Sequence, residues 1–203
     1  MEKSPIEVFG QWAEQGKDKG MEDNHRAAAA AMIAFSTAQP TPFSCIDAGC
    51  GNGWVVRLLA QQQHCQKAIG VDGAAAMIEK AKAIDPINDY YCKDLLKWKP
   101  VQKVDLVHSM EVFYYFENPD QLIAHIFKHW LKPQGRLIMG IDHYSENTAS
   151  HSWKKDCGVS IMKLFPEKTW LHFFEDAGFK ETQSWRVDEK ENWAGTLVVT
   201  GIK

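Results

Sequence analysis

The residues with the clearest chemical potential lie between Asp47 and Gly53, in the run Asp47-Ala48-Gly49-Cys50-Gly51-Asn52-Gly53. A short apolar segment from Phe43 leads into Asp47, and a helix-like stretch, Trp54 to Ala60, follows at once. That order reads as strand, tight turn and helix. Glycine at alternate positions permits positive φ angles and keeps Cβ atoms away from a ligand, so amide N–H groups at the start of the helix can face a bound molecule. The dinucleotide fingerprint needs a third glycine at position 54, which is Trp54, and a phosphate-cradling loop needs a lysine that this turn lacks. A carboxylate at the mouth of the turn would repel a pyrophosphate and attract an ammonium.

Two more acids end apolar, β-branched or aromatic runs. Asp72 closes Ala68-Ile69-Gly70-Val71 and lies 21 residues after Gly51. That is where α/β nucleotide sites place an acceptor for ribose hydroxyls. The alternative is an N-cap for a helix over Ala74 to Ala83. Asp94 ends the Tyr90-Tyr91-Cys92-Lys93 run, and it could equally cap a turn from Leu95 to Trp98. In an open α/β sheet, ligands sit outside the carboxyl ends of the strands, so Asp47, Asp72 and Asp94 are expected to converge on one crevice.

With the motif Asp47-x-Gly49-x-Gly51-x-Gly53 complete, the chain resembles the class I S-adenosylmethionine-dependent methyltransferases. Their cofactor carries an ammonium, a carboxylate and a sulfonium but no phosphate. The resemblance implies a three-layer Rossmann-like α/β fold: a seven-stranded, mostly parallel sheet with an antiparallel C-terminal strand and helices on both faces. It implies S-adenosylmethionine as cofactor and S-adenosylhomocysteine as product, held by Asp47, Gly49, Cys50, Gly51, Asn52 and Gly53. Asp72 and Gly73 would meet the ribose, Met77 the adenine, Asp94 the adenine amino group and the Leu95 amide a ring nitrogen. Ser109 and Met110 are candidates for backbone contacts to the methionine part. Met77 also fits the simpler role of core methionine.

The segment Ser109-Met110-Glu111 is similar to the quinone-pathway and related small-molecule methyltransferases, in which Glu-His usually follows. Tyr114 and Tyr115 stand there instead, so an aromatic wall of Phe113, Tyr114 and Tyr115 is expected where a polar pair would be. No metal site is expected; His125 and His129, one helical turn apart, read as a solvated helix face because no third ligand is near in sequence. For a hydroxyl acceptor, His143, His151 or Tyr114 could assist, and each also fits a binding or packing role.

The elements that must position these residues form one domain over residues 1–203. Helices are expected from Ile6 to Gln15 and from Asp23 to Phe35, split by the polar, glycine-flanked break at Gly16 to Gly20. Residues 1–37 form an N-terminal cap in this reading, from which Trp12, Met21 and His25 could reach the ligand. A fourth strand spans Val104 to Ser109, a helix Pro119 to Leu131, a fifth strand Arg136 to Ile141, a further helix Pro166 to Ala177, and a hairpin Lys180 to Val187 with Gly195 to Thr200. Residues 142–165 form a lid-like insertion carrying Tyr144 and Trp153, since so long a connection in a compact domain is usually functional.

Composition narrows the function classes. The net charge is -3 at pH 7 and no long basic run occurs, which disfavours a surface that tracks nucleic acid or anionic membrane. Five cysteines without C-x-x-C spacing point to free thiols in a reducing compartment. The longest apolar stretch is too short to span a bilayer and the start has no signal-peptide pattern, so a cytoplasmic protein is expected. The expected function is methyl transfer to a small-molecule acceptor by in-line displacement. A noncatalytic cofactor-binding module and a protein or nucleic-acid methyltransferase remain as alternatives, and an NAD-dependent oxidoreductase is disfavoured by Trp54.

Overall fold

The computed structural model describes residues 2–203. Helix α1 (Pro5–Glu14) opens with a capping box, in which the Ser4 backbone N–H donates to Glu7 at 2.9 Å and the Glu7 N–H donates to Ser4 Oγ at 3.3 Å, with proline at the first helical position. Helix α2 (Asp18–Ser36) starts inside the break expected at Gly16 to Gly20. The loop is only as long as Gln15 to Lys17, because Gly16 takes φ 71° and turns the chain at once.

Strand β1 (Phe43–Ala48), helix α3 (Trp54–Ala60), strand β2 (Cys65–Asp72), helix α4 (Ala75–Ile84) and strand β3 (Asp89–Cys92) form two successive parallel crossover units. Strand β4 (Val104–Met110), helix α5 (Pro119–His129), strand β5 (Leu131–Ile141), helices α6 (Trp153–Cys157) and α7 (Glu167–Ala177), and strands β6 (Lys180–Val187) and β7 (Thr196–Ile202) complete the chain. The sheet runs β3-β2-β1-β4-β5-β7-β6, and its strands pair in parallel except that β7 runs antiparallel between β5 and β6. The expected three-layer, seven-stranded architecture is therefore present. Single turns of tighter helix lie at Phe113–Tyr115 and Thr148–Ser150.

Period-two alternation sends successive strand residues to opposite faces. Ile46, Val107, Leu137, Met139 and Val199 pack with α5 and α7 through Leu122, Ile126, Trp170 and Phe174. On the other face, Cys45, Leu106, Ile138 and Val198 pack with α2, α3 and α4 through Met32, Val56, Leu59 and Ile78. Ile126 is fully buried on α5, and truncating it to alanine is worth about 2–5 kcal/mol by the usual cavity cost. Helix α2 is thus a packed layer of the fold, and its first turns join α1 over the carboxyl edge through Met21 and His25. It lies close on β5, where a Cβ on Gly140 would meet Met32 Sδ at 2.8 Å.

The insertion 142–165 is also less lid-like than expected. His143, Tyr144, Asn147 and Ser150 are buried, and the Tyr144 hydroxyl donates to the Ala194 and Gly195 carbonyls at 3.0 Å each. Its later part meets the N-terminus, where the Lys3 N–H donates to the Gly158 carbonyl at 3.0 Å and the Ser160 N–H to the Lys3 carbonyl at 2.8 Å. Among the described residues no helix is long and apolar enough to cross a membrane.

Candidate functional site

Parallel pairing brings the carboxyl ends of β1, β2 and β4 level, with Asp47 opposite Gly70 on one side and His108 on the other. The glycine turn is tied to β2 because the Gly49 and Cys50 N–H groups both donate to the Val71 carbonyl, at 2.7 and 3.1 Å. Its glycines serve two purposes. A Cβ on Gly49 would strike Val112 at 2.2 Å and one on Gly53 would strike Tyr90 at 2.5 Å, so these two allow the protein to pack on itself. Gly51, at φ 51°, has nothing nearer than Met77 Sδ at 3.9 Å and borders open space.

That space is a cavity of about 320 Å³ over the strand ends. Gly49, Gly51, Asp72, Met77, Asp94 and Leu95 line it on the cofactor side of the expected arrangement. Ile6 and Phe9 of α1, with Tyr115, Phe116 and Ile161, cover it. A narrower space of about 50 Å³ continues past Gly49 and Gly51 to Asp47, Cys50, Asn52 and His25, with Met21, Met110 and Glu111 shared between the two.

Asp72 Oδ2 accepts from the Gly51 N–H at 3.0 Å and Oδ1 from the Ala74 N–H at 2.7 Å. It stiffens the turn and does not cap α4 from the N-cap position, which Ala74 occupies. Burial pushes its pKa up, against the pull of the Ala74 and Gly51 N–H groups. Asp94 combines the two roles weighed for it: Oδ1 accepts from the Leu96 N–H at 3.0 Å while the residue borders the cavity. A Cβ on Gly73 would meet the tip of the exposed Ile6 side chain at 2.8 Å, so α1 lies directly over this residue.

Several expected site residues have their side chains held by the protein itself. Asn52 Nδ2 donates to Asp18 Oδ2 at 2.7 Å and Asn52 Oδ1 accepts from the Trp54 N–H at 3.1 Å, which makes it a brace of the turn. The Ser109 hydroxyl donates to the Ala48 carbonyl at 2.8 Å and joins β4 to β1. Phe113 and Tyr114 are core residues, at 0% and 1% exposure, so the expected aromatic wall is reduced to Tyr115 and its neighbour Phe116. The single tight helical turn places consecutive residues on different sides, and α5 takes the other two. Trp12 packs edge-on against Phe9 at 5.3 Å, leaving Phe9 and Ile6 to meet the cavity. Trp153 stacks on Trp193 at 5.9 Å beside a separate cavity of about 250 Å³.

The two histidines named as possible assistants do not reach the crevice. His143 is buried with Nδ1 3.0 Å from the Ser150 carbonyl, and burial lowers its pKa. His151 is exposed with Nε2 3.0 Å from the Ser145 carbonyl. Tyr114 does take part in polar chemistry, through its hydroxyl, which donates to Glu111 Oε2 at 2.5 Å.

Sequence reasoning missed Glu111 and Asp142. Both lie at strand ends, as Asp47, Asp72 and Asp94 do, so the same rule could have found them. The Glu111 N–H donates to the Gly140 carbonyl at 2.9 Å, and a φ of 61° then turns the chain inward. Glu111 Oε1 accepts from the Asp142 N–H at 2.5 Å. His25 Nε2 lies 3.1 Å from Asp142 Oδ2 and 3.8 Å from Glu111 Oε2. Burial alone would lower the pKa of His25, but its bond to Asp142 and the nearby charge of Glu111 raise it to about 9. Desolvation, with Asp142 adding to it, raises Glu111 to about 8.

Comparison with known proteins agrees with this layout. A family model described as a methyltransferase domain matches residues 21–184. Escherichia coli trans-aconitate 2-methyltransferase is 31% identical over 103 residues, a match that takes in 50% of this chain and 40% of that protein's length. A Haloferax volcanii methyltransferase, solved in complex with the Trm112 methyltransferase activator, superposes with a TM-score of 0.83 at 26% identity over 96% of both chains. The N-methyltransferase NodS of Bradyrhizobium japonicum, solved with S-adenosylhomocysteine, shares the fold with a TM-score of 0.68 at 17% identity, covering 88% of this chain and 86% of that one. With the family model spanning most of its length and the glycine turn, strand order and converging acids all in place, the chain belongs to the methyltransferase-domain family, the class I S-adenosylmethionine-dependent methyltransferases.

Proposed function

We propose that this chain transfers a methyl group from S-adenosylmethionine to a small-molecule acceptor by in-line displacement at the sulfonium. The observation that carries the reading is the covered, largely apolar cavity of about 320 Å³ between the glycine turn and α1. Its size suits a buried small ligand, and a polymer acceptor would need an open and usually basic groove. In this reading Asp94 and Leu95 take the adenine, Asp72 the ribose, and Asp47 with Gly49 and Gly51 flanks the methionine end. Transfer discharges the sulfonium as the acceptor atom bonds to the methyl carbon, so a dry site that aligns the two reactants does most of the work. Ile6, Phe9, Tyr115 and Phe116 supply that dry cover.

Calorimetry with S-adenosylmethionine and S-adenosylhomocysteine, followed by a metabolite screen with a labelled methyl donor, tests the proposal. Cofactor binding with label transferred to a small molecule is expected. Binding without transfer across a broad acceptor panel would leave a noncatalytic binding module, and no binding at millimolar cofactor would remove the reading.

A further inference from the structure

Three ionisable side chains from three separate elements meet at the edge of the site, where Glu111 and His25 line its narrow extension and Asp142 lines the neighbouring cavity beside Trp153. His25 comes from α2, Glu111 follows β4 and Asp142 follows β5. One nitrogen or oxygen from each lies within 4.8 Å of the other two. Each is held by neighbours that fix its orientation. His25 Nδ1 is 2.6 Å from the Met21 carbonyl, and because a carbonyl only accepts, Nδ1 carries the ring proton there. Nε2 therefore faces the two carboxylates, and the proton it holds there at neutral pH is the one a bound cation displaces. Tyr114 and the Asp142 N–H each donate to one oxygen of Glu111. Asn147 Nδ2 donates to the Asp142 carbonyl at 2.7 Å and fixes the backbone there.

The remaining observation is a polar atom left over. Asp142 is 4% exposed, and its Oδ1 has no hydrogen-bond partner among the described residues. A buried carboxylate oxygen without a donor is costly, and a second carboxylate nearby adds to the cost. We propose that His25 Nε2, Glu111 and Asp142 form a binding site for one divalent metal cation. One imidazole nitrogen with two carboxylate oxygens suits Mn²⁺, Fe²⁺ or Zn²⁺ better than Mg²⁺ or Ca²⁺, which favour oxygen alone. The carbonyl behind His25 and the hydroxyl behind Glu111 are the outer partners that metal ligands commonly have.

Three protein ligands leave coordination positions for an exogenous oxygen. Glu111 borders both the main cavity and its narrow extension, so the cation can hold an acceptor through a carboxylate or hydroxyl oxygen. That clause alone rests on the methyl-transfer reading; the binding of the metal does not.

The test uses the full chain, stripped with a chelator and dialysed, titrated with MnCl₂ and ZnCl₂ by calorimetry, with Mn²⁺ electron paramagnetic resonance as a second readout. S-adenosylhomocysteine is titrated in parallel. Saturable binding of a single cation per chain is expected. His25→Gln and Asp142→Asn should each weaken it at least tenfold, and Tyr114→Phe, which removes only the donor to Glu111, about 10- to 100-fold. Circular dichroism checks that the variants fold. If one does not, the wild-type titration still decides. Absence of saturable binding at millimolar cation, or an affinity unchanged in the folded variants, overturns the site. A wild-type chain that binds S-adenosylhomocysteine but no metal ends this inference and leaves the methyltransferase reading intact, and the reverse pattern does the opposite.

Discussion

Asn52 donates a hydrogen bond to Asp18 at 2.7 Å, and through it the glycine turn is fastened to the first turn of α2. Lys80 of α4 joins the same carboxylate at 2.6 Å. Asp18 is 4% exposed. Burial works against its charge, yet the hydrogen bonds from Lys80 and Asn52 prevail and hold its pKa below the ordinary carboxylate value. Asp18→Ala is expected to cost about 1–3 kcal/mol by leaving Asn52 unpaired. A group with a depressed folded pKa stabilises the fold above its unfolded pKa and loses that contribution as pH falls through the folded one. The difference between wild type and Asp18→Ala should thus be full at neutral pH and shrink below about pH 4. Urea denaturation at both pH values checks this; a difference independent of pH would rule out the charged bridge.

Two glycines in one turn should respond differently to the same change. Gly49→Ala drives a methyl group into Val112 and is expected to destabilise the fold by about 1–3 kcal/mol from overpacking, with left-handed strain in addition. Gly51→Ala faces only open space, so its stability loss is limited to strain of about 1–2 kcal/mol. Its larger effect should be on cofactor affinity. Thermal unfolding and calorimetry on both variants separate the two, and equal stability losses with unchanged affinity for Gly51→Ala would show that the turn only serves packing.

Asp72 should matter for ligand binding beyond its two bonds to the backbone. Asp72→Ala is expected to weaken S-adenosylhomocysteine binding by about 1–3 kcal/mol. A folded variant that binds like wild type would confine Asp72 to ordering Gly51 and Ala74.

The cover of the cavity should yield before the sheet does. Helix α1 is joined to α2 by a short turn at Gly16 and touches the insertion through Lys3, and thinly packed cover elements come from the low-stability end of a fold. Limited proteolysis of the ligand-free protein should cut near Lys17 to Lys19, or at Lys154 and Lys155, and S-adenosylhomocysteine should slow those cuts. Identical cleavage with and without the ligand would mean that α1 and the insertion do not open.

The sequence by itself determined the strand, turn and helix from Phe43 to Ala60, and with them the family. Those features are local: glycine at positive φ, a β-branched run and helical spacing act between near neighbours, so they need no knowledge of the rest of the chain. The acids at the ends of successive strands were legible for the same reason. Which side chains face the cavity was decided only by the tertiary structure. Phe113, Tyr114 and Tyr115 are consecutive and chemically alike, yet the docking of α5 takes the first two into the core and leaves Tyr115 at the wall. Phe9 takes the place expected of Trp12 in the same manner, through the packing of α1 on α4. His25, Glu111 and Asp142 are far apart along the chain, and only the level ends of β4 and β5 beneath α2 bring them within one coordination sphere's reach. Sequence spacing records neighbours along the backbone, whereas burial and long-range pairing choose neighbours in space, and this site is made mostly of the second kind.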